Sequence, residues 1–182
     1  MRTTTTLALG LLLIPLTTSA LAAGKFKLQS SDVKPNGTLT EKQVFNSFGC
    51  TGENLSPQLS WSDPPAETKS FVVTVYDPDA PTGSGWWHWI VYNIPAEATE
   101  LPGGAGSGKA ALPKGAWEAR TDYGKAGYGG ACPPPGSKPH RYIFTVYALK
   151  VDKLEVPPDA SPALIGYQTR ANALGSATFT AK

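Results

Sequence analysis

The stretch SFVVTVY at residues 70–76 decides the class of fold, and two similar stretches follow it, WHWIVYNI at 87–94 and RYIFTVYAL at 141–149. All three are rich in β-branched and aromatic residues, which favour β-strands. Because each run is almost continuously apolar, we expect central strands that are covered on both faces. Shorter segments that predict further strands are residues 26–30, 58–61 and 177–180.

One helix is predicted near the end of the chain. Ser161 is a favourable N-cap, Pro162 suits the first helical position, and Gly175 can end the helix. Together with the strands, this helix predicts a mostly β domain. The apolar residues at helical spacing are Leu164, Tyr167, Ala171 and Leu174.

The first 22 residues have the pattern of a secretory signal peptide. Arg2 supplies a positive charge, an apolar run covers residues 7–16, and small residues precede an expected cleavage after Ala22. The apolar run is about half of the roughly 20 residues that a membrane-spanning helix needs, so no transmembrane segment is expected. Residues 23–182 then form a single domain, predicted to be periplasmic or secreted.

The charge of the chain argues against a bulk electrostatic partner. Its 16 basic and 14 acidic residues give a formal net charge of +2 at pH 7. The lysines are scattered, and there is no basic run of the kind that binds nucleic acid. Recognition of an anion would therefore have to come from a local site.

Two cysteines, Cys50 and Cys132, lie far apart in the chain without CxxC spacing. In an exported protein their simplest use is one structural disulfide bond. The alternative is a reactive thiol at Cys132, which lies beside the glycine-rich part of the segment 101–138. That segment is rich in glycine and proline and poor in apolar periodicity, so we expect it to run over the surface and supply one wall of a site.

Both histidines of the chain lie beside a proline-containing turn and a predicted strand. His88 follows the turn DPDAP at 77–81, and His140 follows a run of three prolines. Asp77 or Asp79 could orient a histidine in a binding site. From the pattern alone, two structural histidines at strand ends are an equally good interpretation.

Other chemistries have weaker support. Two histidines and an aspartate could bind zinc, but no HxH or HxxxH pair occurs, and we predict no metal or other cofactor. No GxSxG motif is present, and Ser84 lies in TGSG, which is typical of a turn. The glycine-rich residues 101–110 lack the GK[ST] ending of a phosphate-binding loop.

Several separated motifs nevertheless occur together in one order. They are DPDAP at 77–81, WHW at 87–89, GACPP at 130–134 and HRY at 140–142. This set resembles the phosphatidylethanolamine-binding protein family over residues 26–179. The stretches NLSP at 54–57 and TGSGWWHW at 82–89 are similar to its bacterial Raf-kinase-inhibitor-like branch.

The resemblance implies a large antiparallel sheet packed on a smaller one, with a C-terminal helix. It also implies a small pocket for phosphate, acetate, cacodylate or a phospholipid headgroup. Histidine and tyrosine would donate to the anion, while Asp77 holds a histidine tautomer or keeps the histidine charged. Arg141 is expected to pair with Asp79 and brace the turn. The pocket residues implied are Asp77, His88, His140 and Tyr142, with Pro133 and Pro134 as a wall.

Two departures from the family pattern bear on the ligand. Cys132 stands where many members have glycine before the two prolines, and a bond to Cys50 would stiffen the pocket wall. The C-terminal tail, which lines the pocket in some eukaryotic members, ends soon after Phe179. The resemblance therefore implies a small anion more strongly than an intact phospholipid.

The function expected from the sequence is non-enzymatic binding of a small anion or phosphorylated headgroup, with a partner protein modulated in response. The alternative is a kinase- or protease-inhibitor-like interaction module that exposes Trp86, Trp117 and the segment 101–138. An enzyme acting on a phosphoryl or acyl compound is a third interpretation, for which the sequence supplies no nucleophile. A homodimer would suit the branch, although no particular residue argues for it.

Overall fold

Two antiparallel sheets and one α-helix make up the fold in the computed structural model, which describes residues 24–182. The predicted signal peptide and its cleavage site lie outside these residues. The strands are β1 Lys27–Gln29, β2 Leu59–Ser62, β3 Ser70–Asp77, β4 Trp86–Pro95, β5 Glu100–Leu101, β6 Trp117–Glu118, β7 Tyr142–Leu149 and β8 Ala173–Ala181. The helix α1 is Pro162–Asn172, and a short 3-10 turn covers Ala105–Ser107.

The larger sheet has the strand order β6-β4-β3-β7-β8, and the smaller sheet has the order β1-β2-β5. All strand pairs within these two sheets are antiparallel. The predicted pairing of a large and a small antiparallel sheet is therefore confirmed. Each long predicted strand corresponds to one of β3, β4 and β7, and these three lie side by side in the large sheet.

Strand β3 shows why its sequence is almost continuously apolar. Successive side chains of a strand point to opposite faces of the sheet. Val73 packs in the cluster shared with the small sheet, while its neighbour Val72 packs in a second cluster beneath the helix, with Ile165. Both valines are fully buried. The expectation of strands covered on both faces is confirmed.

The helix begins where predicted but ends earlier and buries a different face. Ser161 caps it by accepting a hydrogen bond from the backbone N–H of Leu164, at 3.2 Å. The helix ends at Asn172 because β8 starts at the next residue, and Gly175 lies in that strand opposite Ala148 rather than at a helix end. The predicted apolar face is wrong, since Tyr167 is 68% exposed. The buried helical residues are Pro162, Ile165 and Thr169.

The segment 101–138 is more deeply packed than the sequence indicated. Tyr128 is buried against Trp89, with ring centroids 5.9 Å apart, and its hydroxyl donates to the carbonyl oxygen of Gln43 at 3.0 Å. Glycine makes this packing possible, since a Cβ added to Gly106 would come within 2.5 Å of the Trp89 ring. The expectation that this segment runs over the surface is therefore wrong for residues 104–106 and 128–131, which are buried, and holds for exposed stretches such as residues 133–138. Within residues 24–182, no helix is long and apolar enough to cross a membrane.

Candidate functional site

The register of the large sheet gathers the predicted site residues at one of its ends. Strand β3 runs antiparallel to both of its neighbours, so its last residue, Asp77, lies beside the first residues of β4 and β7. His88 is the third residue of β4, and Tyr142 is the first residue of β7. His140 lies two residues before that strand. The strand order thus brings Asp77 and His88 together with His140 and Tyr142, which lie more than 50 residues later in the sequence.

These residues line a cavity of about 220 Å³. Of the six residues predicted to bind ligand, Asp77, His88, Pro134, His140 and Tyr142 line this cavity. Pro133 is exposed and is not among the lining residues. Cys132, expected in the pocket wall, also lines the cavity. Six further lining residues were not predicted by name, and they are Phe48, Ala80, Pro81, Thr82, Trp86 and Tyr123. Two features of the sequence could have indicated further lining residues. Trp86 lies two residues before His88, and Phe48 lies two residues before Cys50.

Asp77 orients His140 rather than His88. Its Oδ2 lies 2.7 Å from Nδ1 of His140, and its Oδ1 accepts a hydrogen bond from the backbone N–H of Asp79 at 2.8 Å. Since a carboxylate accepts, Nδ1 of His140 carries the proton, which fixes the tautomer. The nearer ring nitrogen of His88, Nε2, is 4.0 Å from the same Oδ2, beyond hydrogen-bond distance.

His88 is held by the backbone, and its burial favours the neutral form of the ring. Its Nδ1 lies 2.7 Å from the carbonyl oxygen of Gly129, so that nitrogen must donate. Burial lowers the pKa of His88 below its ordinary value, although the bond to Gly129 and the charge of Asp77 act in the opposite direction. Asp77 thus favours the charged form of His88, as expected, but burial has the larger effect, and Nε2 is the acceptor of the neutral ring.

Three buried side-chain atoms of the lining residues have no hydrogen-bond partner within the described chain. They are Nε2 of His88, the hydroxyl of Tyr142 and Nε1 of Trp86. A buried polar group without a partner typically costs about 1–3 kcal/mol of stability. Two further atoms of this kind, Nε1 of Trp61 and the hydroxyl of Thr169, lie on residues outside the lining. Such groups are rare in native proteins, and the three around one cavity indicate a place where a ligand supplies the missing partners.

An aromatic wall from the segment 101–138 closes one side of the cavity, as expected for that segment. The ring of Tyr123 lies 5.6 Å from the His88 ring and 5.3 Å from Trp86, between ring centroids. The hydroxyl of Tyr123 is not free, because it donates to the carbonyl oxygen of Gly130 at 2.8 Å. This wall is therefore fixed in place.

The predicted disulfide bond also belongs to this wall. Cys50 and Cys132 are bonded, with Cα atoms 6.0 Å apart, and Cys132 lines the cavity. The prediction of a structural disulfide is confirmed, and the alternative of a reactive thiol at Cys132 is wrong. The described residues contain no cluster of three or more side chains that could hold a metal ion.

The comparisons with known proteins identify the family. The model of the family described as phosphatidylethanolamine-binding protein matches residues 29–182. The chain belongs to this family. It is 53% identical to UPF0098 protein YbcL of Escherichia coli strain K12 over 176 residues, which cover 96% of each chain. It is also 54% identical to UPF0098 protein YbhB of the same strain over 155 residues, covering 85% of this chain and 98% of YbhB.

A solved structure of a family member has the same fold. The crystal structure of E. coli YbcL, described as a new member of the mammalian PEBP family, matches with a TM-score of 0.83 at 54% sequence identity. The match covers 87% of this chain and 97% of YbcL. The two-sheet architecture is therefore that of the phosphatidylethanolamine-binding protein family.

In the present protein, Arg141 braces the turn that carries Asp77, as expected. The Arg141 side chain donates two hydrogen bonds to Asp79, through Nε at 2.9 Å and Nη2 at 2.7 Å, and its backbone N–H donates a third at 2.9 Å. These bonds lower the pKa of Asp79 to about 2. Arg141 is not among the lining residues of the cavity.

Of the two tryptophans expected at the surface, Trp117 is 64% exposed, whereas Trp86 is half-buried in the cavity wall.

Proposed function

We propose that this protein binds a small oxyanion or a phosphorylated headgroup in the cavity between His88 and His140, without chemical turnover. The observation that carries the proposal is the set of unpartnered atoms on His88, Tyr142 and Trp86. The tryptophan N–H and the tyrosine hydroxyl can donate to oxygen atoms of a ligand. A tetrahedral phosphate or a carboxylate offers such acceptors in the small volume available.

Protonation at His88 is part of the proposal. In the free protein, Nε2 of His88 is an acceptor and cannot donate to a fully ionised oxyanion. Binding therefore requires that one proton be taken up, either on Nε2 or on the ligand oxygen that faces it. Because a bound anion favours the protonated imidazole, affinity should rise as pH falls through the histidine range.

The chemistry of the lining supports binding rather than catalysis. Among the described residues that line the cavity there is no serine, lysine or free cysteine. The Tyr142 hydroxyl is a poor nucleophile, because burial and the neighbouring charge of Asp77 raise its pKa far above neutrality. Asp77 has both of its oxygens engaged by protein donors.

Export is proposed on the disulfide and on the N-terminal sequence. Disulfides persist in oxidising compartments and are rare in the cytosol. N-terminal sequencing of protein from the periplasm or medium should begin at Ala23. A mature protein that retains Arg2 would contradict the proposed cleavage.

Phosphate titration followed by amide NMR tests the binding proposal. We expect weak binding, since few contacts remain to offset the entropy lost on association. The saturable shifts should centre on Asp77, His88, Gly129 and Tyr142, and they should be lost in His88→Ala.

The neighbouring basic surface provides the control. Lys138 and Lys182 lie in a neighbouring cleft that shares Pro81 and His140 with the cavity. Lys138→Ala should keep the saturable shifts of the wild type. Shifts that centre on Lys138 and Lys182, or that persist in His88→Ala, would place the anion outside the proposed cavity.

A further inference from the structure

The mouth of the cavity carries a large apolar side chain that the protein does not cover. Phe48 lines the cavity and yet is 71% exposed. Its backbone has a φ of 57°, in the left-handed region that non-glycine residues rarely adopt. An exposed phenylalanine in an unfavourable backbone conformation has no evident role in the core.

The position of Phe48 is fixed by its neighbours. Cys50, two residues further on, is bonded to Cys132, which also lines the cavity. The Phe48 ring packs against the rings of Phe45 and Tyr123, with centroids 5.5 and 5.7 Å away. The ring is therefore held at the mouth by a covalent link on one side and by aromatic contacts on the other.

The cavity has a polar floor and an apolar mouth. The floor carries His88 and Tyr142, each only 3% exposed, with their unpartnered Nε2 and hydroxyl. The mouth is mostly apolar, formed by the exposed residues Phe48, Pro81 and Pro134. Thr82 is also exposed there, but its hydroxyl donates to the carbonyl oxygen of Gly85 at 2.6 Å. The volume of about 220 Å³ is several times that of one water molecule, which takes up about 30 Å³ in the liquid. There is thus room for an oxyanion and part of a substituent.

The charges around the cavity disfavour a cationic substituent. Asp77 is the one carboxylate among the described lining residues, it is 3% exposed, and both of its oxygens are hydrogen-bonded to the protein. No carboxylate of the lining is thus left to pair with an ammonium group at the mouth. Aromatic faces alone could still attract a cation, so this alternative has to be an outcome of the test.

We propose that the ligand is an oxyanion that carries an apolar substituent, and that Phe48 determines this specificity by packing against the substituent. The inference rests on the proposed function of the cavity and adds the chemical class of the ligand. The anionic head lies on the polar floor, and the alkyl or aryl group covers the exposed ring at the mouth. An ethanolamine-type substituent, which ends in an ammonium group, fits this mouth less well.

Calorimetric titration with three probes of one head group tests the inference. The probes are inorganic phosphate, n-butyl phosphate and phosphoethanolamine, and the quantity compared is the ratio of their affinities. In the wild type, n-butyl phosphate should bind about tenfold more tightly than either of the others, as expected from burying a few CH₂ groups and part of a ring. This preference should fall in Phe48→Ala and be retained in Phe48→Leu.

Trp117→Ala is the matched control, since Trp117 is an exposed aromatic residue outside the cavity lining, and it should keep the wild-type ratio.

Equal affinities for the three probes that still depend on His88 would overturn the ligand class and leave the proposed function intact. Tighter binding of phosphoethanolamine would show that the mouth recognises a cation, which also overturns it. An unchanged ratio in Phe48→Ala contradicts the role of Phe48. If none of the three probes shows binding that depends on His88, the result contradicts the proposed function itself.

Discussion

Tyr142 and Phe144 lie two residues apart on the same face of strand β7, and both are buried. Phe144 stacks on Phe179 of the adjacent strand at 4.9 Å and is completely enclosed. Tyr142 is enclosed to nearly the same degree, but its hydroxyl has no partner in the described chain. One strand thus passes from a fully packed apolar region at Phe144 to a region at Tyr142 where a buried hydroxyl has no partner. We call the fully packed part of the sheet around Phe144 the framework, and the residues that line the cavity the site.

Polar groups elsewhere in the sheet sharpen this contrast. The hydroxyl of Ser70 donates to the carbonyl oxygen of Val151 at 2.6 Å. Thr145 and Thr178 share a hydrogen bond of 2.9 Å between neighbouring strands. Most buried hydroxyls of the fold are satisfied in this way, although the hydroxyl of Thr169 and Nε1 of Trp61 also have no partner in the described residues. The open atoms around the cavity differ in lying on residues that line one shared space, which a ligand can fill.

The largest loss of stability is expected in the framework. Phe144→Ala should lower the free energy of unfolding by about 3–5 kcal/mol, since it removes a fully enclosed ring and leaves a cavity. Phe48→Ala, which truncates an exposed ring at the cavity mouth, should change it by less than about 1 kcal/mol. Urea denaturation of both variants measures the difference. Similar losses in the two would contradict the division between framework and mouth.

Removal of the disulfide should have the next largest effect. The bond closes a long loop, with a sequence separation of 82 residues. The double variant Cys50→Ala, Cys132→Ala should lose about 2–4 kcal/mol of unfolding free energy, because its unfolded chain is less constrained. Intact mass with and without reduction, followed by alkylation, checks the bond itself. Two free thiols in exported protein would contradict it.

The fold was largely predictable because its signals are local. The enrichment of residues 70–76 in β-branched and aromatic types is sufficient to predict a strand, and its burial on both faces follows from the absence of polar alternation. The end of the helix was not predictable in this way. Pairing of β8 with β7 gives the residues from Ala173 onward a ladder of backbone hydrogen bonds, and this tertiary preference overrides the helical spacing of Leu174.

The site was predictable in its motifs but not in its electrostatics. The motifs indicated Asp77, His88 and His140, yet they could not show which histidine the carboxylate contacts. That choice depends on how strands β3, β4 and β7 align at one end of the sheet, a long-range property. The packing of segment 101–138 was missed for a similar reason, since its glycines permit close contacts that have no apolar pattern.

A smaller effect on the unfolding free energy is expected from protonation of His88 at acidic pH. Because burial lowers its folded pKa, the folded protein binds fewer protons than the unfolded chain below about pH 6.5. The stability that neutral His88 contributes is present above about pH 6.5 and is lost as pH falls through the folded pKa. The unfolding free energy of the wild type should therefore fall between about pH 6.5 and 5, and that of His88→Gln should fall less.

Asp79 does not interfere with this test. Its folded pKa of about 2 means that its contribution is lost only below the ordinary aspartate range, near pH 4. The charge of sulfate is constant over the tested pH range. Because bound sulfate favours protonated His88, it should reduce the loss of unfolding free energy that the wild type shows in acid. A parallel pH dependence in the wild type and His88→Gln would show that His88 is not the titrating group.

The most direct test compares Tyr142→Phe with Tyr167→Phe in two measurements, urea denaturation and phosphate titration. Removing the unpartnered hydroxyl of Tyr142 should leave stability unchanged or slightly raised, while phosphate affinity falls by about tenfold or more, as expected for loss of a hydrogen bond to a charged group. Tyr167, an exposed residue of the helix, is the matched control, and its variant should change neither quantity. If Tyr142→Phe instead loses stability and keeps its affinity for phosphate, the open polar atoms serve the fold rather than a ligand.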